Sequence, residues 1–318
     1  MSLKIYFCGS IRGGRQDVGL YAKIIQSLGS YGQVLTEHVG DDKESLDKKN
    51  ENLDNKGIHD RDVAWLKECN AVVAEVTQPS MGVGYELGRA LAMGKRILCL
   101  FRPASGKSLS AMVQGANDGK LFTVKHYKEE EYPSILKDFF ETLPKSEAGS
   151  DEGEVVQSKK RKTEDASTDG KADGAERKVY FCGSIRGGRQ DASHYAKIVK
   201  EIQDKYGPVL TEHVAWEEPI LLKDGKRLTD EEIYEKDMNW LSESTDLVAE
   251  VTQVSMGVGY EIGRAVELGK RILCLFRPET GKGVSAMISG AHNDDTIIVK
   301  PYQGEEYADI LSQFFSKK

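Results

Sequence analysis

The twelve residues Tyr6–Asp17, YFCGSIRGGRQD, recur unchanged at Tyr180–Asp191. A second block, Glu75–Pro103, returns at Glu250–Pro278 with differences only at Pro79/Val254, Leu87/Ile262, Leu91/Val266, Ala92/Glu267 and Met93/Leu268. The first block is displaced by 174 positions (6 to 180) and the second by 175 (75 to 250), so one single-residue indel separates them. Solenoid and propeller repeats are far shorter than this. Each copy is therefore a whole domain, and the chain is expected to divide into domains at 1–145 and 178–318 joined by 146–177. Ser146–Arg177 has no aromatic residue and no Leu, Ile or Met. Such a stretch cannot bury enough apolar surface to fold alone and reads as a flexible linker. A linker of this length lets the copies dock as an intrachain pseudo-dimer, on which a further oligomer would build; two independent domains are the simpler alternative.

Within the first copy, β-rich runs at 3–7, 34–37, 71–76, 96–101 and 121–124 alternate with helical spacing at 21–28, 60–67, 84–93 and 133–140. The alternation predicts an α/β domain, a five-stranded parallel sheet covered by helices on both faces, and the second copy is expected to repeat it. Between Val39 and Asp62 the chain is charged and Asn-rich, and its counterpart after Val214 has unrelated sequence. This segment reads as a mobile excursion placed to act as a lid.

Charge and cysteine usage narrow the partners. The 44 basic and 51 acidic residues leave a formal charge of -7, which argues against a general nucleic-acid or anionic-membrane surface. No apolar run approaches a membrane span, and MSLKIYFCGS lacks the pattern of an export signal. The five cysteines include no paired CxxC metal spacing. A reduced, cytoplasmic protein is expected, with the basic run Ser158–Lys162 reading either as a nuclear-import signal or as a solvated charge run.

In open parallel sheets ligands bind beyond the carboxyl ends of the strands. Three segments fall there. Cys8–Arg15 follows the first strand, and its Gly9, Ser10, Ile11, Arg12, Gly13 and Gly14, like Gly183, Ser184, Ile185, Arg186, Gly187 and Gly188, suit either a turn or an anion site. Thr77–Glu86 leads into a helix, where Ser80 and a glycine-rich backbone offer unpaired N–H groups to an anion. Glu86, and Glu261 in the second copy, should lie in the first turn of that helix, held ionised by its dipole or simply stabilising it. The third segment holds Asp62 and Asp237, each three residues before a tryptophan. Each is either a cap near a helix start or a desolvated acid. One carboxylate held ionised beside one held protonated is what retaining glycoside cleavage requires. His38 and His213 read as core or rim, and Cys8, Cys99, Cys182 and Cys274 as small buried residues.

The motifs YFCGSIRGGR, VLTEHV, EVTQPSMGVGYELGRA, KRILCLFRP and LSAM closely resemble the 2'-deoxynucleoside 5'-phosphate N-hydrolases of the nucleoside 2-deoxyribosyltransferase superfamily, over about residues 3–142 and 178–316. The resemblance implies two flavodoxin-like (Rossmann-like) domains that cleave the base from a 2'-deoxynucleoside 5'-monophosphate, with no metal or organic cofactor. It implies Glu86 and Glu261 as nucleophiles, Asp62 and Asp237 as acids, and Tyr6 and Tyr180 as their supports. Arg12 and Arg186 follow from GSIRGG. Ser80, Gly82, Ser255 and Gly257 are implied phosphate contacts, while Ser110 and Ser285 would reach the phosphate of the opposite copy. Deoxyribosyl transfer between bases and a non-catalytic nucleotide-binding module are the rival readings.

Overall fold

The computed structural model describes residues 2–143, 177–281 and 283–317. The expected connector therefore lies outside the described residues apart from Arg177. The first copy runs β1 (Lys4–Cys8), α1 (Val18–Leu28), β2 (Gln33–Val34), α2 (Lys43–Asn50), α3 (Asn55–Glu68), β3 (Ala71–Glu75), α4 (Met81–Ala92), β4 (Arg96–Phe101), α5 (Ala111–Gln114), β5 (Phe122–His126) and α6 (Tyr132–Glu141). All pairings in its five-stranded sheet are parallel, in the order β2-β1-β3-β4-β5 of flavodoxin-like folds. Alternation along each strand sorts two apolar layers. Ile5, Phe7, Val73 and Leu98 pack with Leu20, Tyr21 and Leu136, while Tyr6, Cys8, Val72 and Ala74 join a layer with Val83 and Leu87 that also contains Met256 and Tyr260 of the second copy.

The segment 39–62, expected as an excursion near the site, is largely helical and lines the first cavity. It holds a short 3-10 turn (Glu37–Gly40), then α2, then the start of α3. Asp42 caps α2 by accepting from Ser45 N at 2.8 Å, and Asp54 caps α3 by accepting from Gly57 N at 2.7 Å. These caps start two helices within a run that lacks an apolar stripe.

The second copy runs β6 (Val179–Cys182), α7 (Ala192–Lys205), β7 (Leu222–Lys223), β8 (Lys226–Arg227), α8 (Asp230–Glu243), β9 (Asp246–Glu250), α9 (Met256–Glu267), β10 (Arg271–Phe276), α10 (Ala286–Ser289), β11 (Ile297–Pro301) and α11 (Tyr307–Ser316). Its sheet has four strands, β11-β10-β9-β6, rather than the expected five. The missing edge strand survives as a single parallel bridge between Val179 and Val209, where Pro208 removes a donor and Gly207 sits at φ 141°. An antiparallel hairpin, β7–β8, replaces α2.

The copies meet along α4 and α9. A Cβ on Gly84 would stand 2.0 Å from the Met256 carbonyl oxygen, and one on Gly259 would stand 2.0 Å from that of Met81. Only glycine admits so close a crossing. Beside it the ion pairing is one-sided: Arg89 Nε donates to Glu267 at 2.7 Å, whereas Arg264 Nε is buried without a hydrogen-bond partner and Ala92 occupies the position equivalent to Glu267.

Candidate active site

Each copy brings two buried carboxyl groups to the mouth of α4 or α9. Ser80 caps α4, its hydroxyl accepting from Val83 N at 3.4 Å, and Ser255 caps α9 by accepting from Val258 N at 3.3 Å. Glu86 then falls in the second turn of α4, not the first as the sequence reading has it. So deep a position removes the carboxyl from water, and burial together with the Asp62 charge pushes its pKa up to about 8. Desolvation thus opposes the ionisation that the helix dipole is expected to favour. Tyr6 Oη donates to Glu86 Oε1 at 2.7 Å, and Tyr180 Oη donates to Glu261 Oε1 at 2.7 Å; both bonds favour the anion against that burial. The Cys8 and Cys182 thiols reach the same carboxyl groups. Sequence reasoning placed these cysteines only in the core, since nothing in their spacing points to Glu86 or Glu261.

Asp62 lies in the middle of α3 rather than near its start, and Asp237 in the middle of α8. Burial raises both carboxyl groups, Asp237 to about 7. Their surroundings differ. Arg61 Nε donates to Asp62 Oδ1 at 2.9 Å and holds that acid down, whereas Asp237 Oδ1 is buried with no hydrogen-bond partner and feels only the charge of Lys236; both cations lie 4.8 Å from the ring centre of the tryptophan beside them.

One cavity contains Glu86, Asp62, Ser80 and Gly82 of the first copy together with Ser285 and Met287 of the second; the other contains Glu261, Asp237, Ser255 and Gly257 with Ser110 and Met112. The crossing is tight, since a Cβ on Gly82 would stand 3.0 Å from Ser285 Oγ and one on Gly257 would stand 2.9 Å from Ser110 Oγ. Arg12 and Arg186 line these cavities, but their guanidinium groups are engaged both by their own copy, at Asn55 and Asp230, and by the opposite one. Arg12 donates to the Val284 carbonyl at 3.2 Å, and Arg186 to the Leu109 carbonyl at 2.8 Å, each one residue before the crossing serine. Gly9, Ile11 and Gly13 line the first cavity and Gly183, Ile185 and Gly187 the second.

Ser10, Gly14, Ser184 and Gly188 stand apart from these walls. Ser10 and Ser184 are wholly buried under the loop, with Oγ unpartnered, while Gly14 and Gly188 turn the chain at φ 130° and 127°. His38 and His213, read as core or rim, are buried yet line the two cavities. Among the described residues no group of three His, Cys, Asp or Glu side chains is placed to hold a metal, and no helix is long and apolar enough to cross a membrane.

Comparison with known proteins matches this geometry to a sequence family. The profile of the nucleoside 2-deoxyribosyltransferase family matches residues 5–122 and again 179–294. The 5-hydroxymethyl-dUMP N-hydrolase of Danio rerio is 63% identical over 145 residues, covering 45% of this chain and 100% of that protein. A putative 2'-deoxynucleoside 5'-phosphate N-hydrolase 1 of Nematostella vectensis is 61% identical over 140 residues, 44% of this chain and 95% of that one. The 5-hydroxymethyl-dUMP N-hydrolase of Homo sapiens is 53% identical over 140 residues, 44% and 80% respectively. Each of these relatives corresponds to about one copy.

Proposed function

The chain belongs to the nucleoside 2-deoxyribosyltransferase family, twice over, and on that premise we propose that it hydrolyses the N-glycosidic bond of 2'-deoxynucleoside 5'-monophosphates to free base and 2-deoxyribose 5-phosphate. The observation that carries the reading is the buried pair of carboxyl groups beside a capped helix N-terminus, with a tyrosine on one of them at 2.7 Å, present in both copies. The names of the relatives support a hydrolase rather than a transferase.

The proposed chemistry is a double displacement. The 5'-phosphate sits on the α4 N-terminus against Ser80, the Gly82 backbone and Ser285. Glu86 attacks C1' as the C1'–N bond breaks, the bonding pair passes to the base, and Asp62 gives the base its proton. Water then attacks C1', Asp62 takes up the water's proton, and Glu86 leaves. The Glu261 site does the same with Asp237, Ser255 and Ser110. Tyr6 and Tyr180 steady the nucleophile as it regains charge.

Glu86→Gln combined with Glu261→Gln should reduce base release by more than about a hundredfold, roughly 2.7 kcal/mol of barrier, with nucleotide binding retained. Acid-quenched wild-type enzyme should carry a deoxyribose-phosphate ester on the glutamates by mass spectrometry. Base release without any adduct would replace the covalent step with direct attack by water. New nucleotide formed on addition of a free base would favour transfer, and binding without turnover would favour a nucleotide-binding module.

The same proposal divides the chain into domains 1–145 and 178–318 with 146–177 between, which limited proteolysis tests by cutting in that stretch. A cytoplasmic protein drawn into the nucleus by Ser158–Lys162, a run outside the described residues, is tested by imaging a tagged chain with the run replaced by alanine.

A further inference from the structure

The two sites agree where phosphate and sugar would lie and differ where the base would lie. Asp62 and Asp237 mark the base end, because the acid must reach the departing base. Beside Asp62 the wall sets polar side chains among the apolar Leu46, Leu53 and Ile58. Arg61, besides holding Asp62, donates from Nη1 to Asn50 Oδ1 at 2.8 Å, and Lys43 and Asp47 of α2 line the same cavity, whose volume is about 510 Å³. Beside Asp237 the hairpin replaces α2, and the wall is made by Pro219, Ile220, Leu221, Leu228 and Ile233, with Arg227 as its one charged side chain, around about 250 Å³. Lys236, which stands where Arg61 stands, lies over Trp240 as Arg61 lies over Trp65 but makes no hydrogen bond to the acid, and Asp237 Oδ1 is left without a partner.

Resting on the hydrolase reading, we propose that the two sites divide the bases between them. The Glu86 site takes bases that carry an additional hydrogen-bonding substituent, such as a hydroxymethyl group, and the Glu261 site takes compact bases whose outer edge is apolar, such as thymine. The Arg61–Asn50 network offers donors and acceptors to a hydroxyl in a roomy cavity. Where the second wall presents Leu221 and Leu228 rather than Arg227, the same hydroxyl would be buried unpaired, whereas a methyl group is buried there favourably. Glu261 and Glu86 would then be equal as nucleophiles and unequal in what reaches them.

Glu261→Gln leaves the Glu86 site working alone, and Glu86→Gln leaves the other. The probes are 5-hydroxymethyl-dUMP and dTMP, which differ by one hydroxyl. The ratio of kcat/KM for the first over the second should be about tenfold or more higher in Glu261→Gln than in Glu86→Gln, the scale on which a hydrogen-bonding site separates such analogues from an apolar one. Adding Asn50→Leu to Glu261→Gln should draw its ratio toward that of Glu86→Gln. Equal ratios in the two single variants, with the wild-type chain hydrolysing both nucleotides, overturn the division and leave the hydrolase reading standing. Release of neither base by the wild-type chain overturns that reading and the division with it.

Discussion

Arg61 is one side chain without a counterpart guanidinium in the second copy, and it separates the two sites in their response to acid. A working pair needs one proton: with both carboxyl groups protonated there is no nucleophile, and with both ionised there is no acid. In the second copy burial lifts Asp237 to about 7 and Glu261 to about 8, so activity should fall below neutrality. In the first copy the Arg61 cation favours ionised Asp62, which moves the loss of activity to lower pH. The kcat/KM profile of Glu261→Gln should therefore extend further into acid than that of Glu86→Gln, and Arg61→Met added to Glu261→Gln should erase the difference. The same burial opposes stability. Glu86 titrates near 8 in the folded chain against about 4.3 unfolded, so folding favours its neutral form, and the penalty of ionising it grows as pH rises between those values. Glu86→Gln should raise Tm by about 5 °C or more at pH 9 and by little at pH 5, read by calorimetry. Glu86 and Asp62 were legible as a pair because both recur in two copies. Their true depth was not, because the helix start at Met81 and the long α3 are set by the caps Ser80 and Asp54.

At the level of elements, α4 and α9 each serve a catalytic cavity and the contact between copies. Gly84→Ala should push a methyl group onto the Met256 carbonyl and cost about 1–3 kcal/mol by overpacking. Because Met256 opens α9, and α9 carries Glu261, activity should fall in the opposite site as well, measured by adding Gly84→Ala to Glu86→Gln; unchanged turnover there would show that the two helices move independently. β3 and β4 are legible nearly to the residue because Ala71–Ala74 and Ile97–Phe101 within them are unbroken apolar runs, buried on both faces. The sequence reading missed α2, whose only buried residue is Leu46 and whose stability comes from a cap and charge pairs such as Lys48–Glu44 at 2.8 Å. It also missed the loss of the second copy's edge strand, which turns on one residue: Gln33 N donates to the Leu3 carbonyl at 2.8 Å, and Pro208 at the equivalent position has no N–H to give.

For the whole molecule, one folded chain contains two complete cavities, and each is completed by the opposite copy. In a chain carrying Glu86→Gln, the surviving site holds Glu261 and Ser110. Adding Ser110→Ala should raise KM for the nucleotide, by about tenfold if one charge-assisted hydrogen bond to phosphate is lost, while adding Ser285→Ala should leave it near that of Glu86→Gln. Specific activity should also be independent of dilution, since no second chain is needed to build a site. The one-sided contact between Arg89 and Glu267 shows what such a fusion permits. In an assembly of identical subunits every change at the twofold axis is made twice, so an acid added to meet one arginine also appears in the place where it has no use. Here Glu267 meets Arg89, Ala92 stands at the equivalent place, and Arg264 Nε has no partner. The two halves have thus acquired a left and a right hand, each free to drift so long as the other still fits.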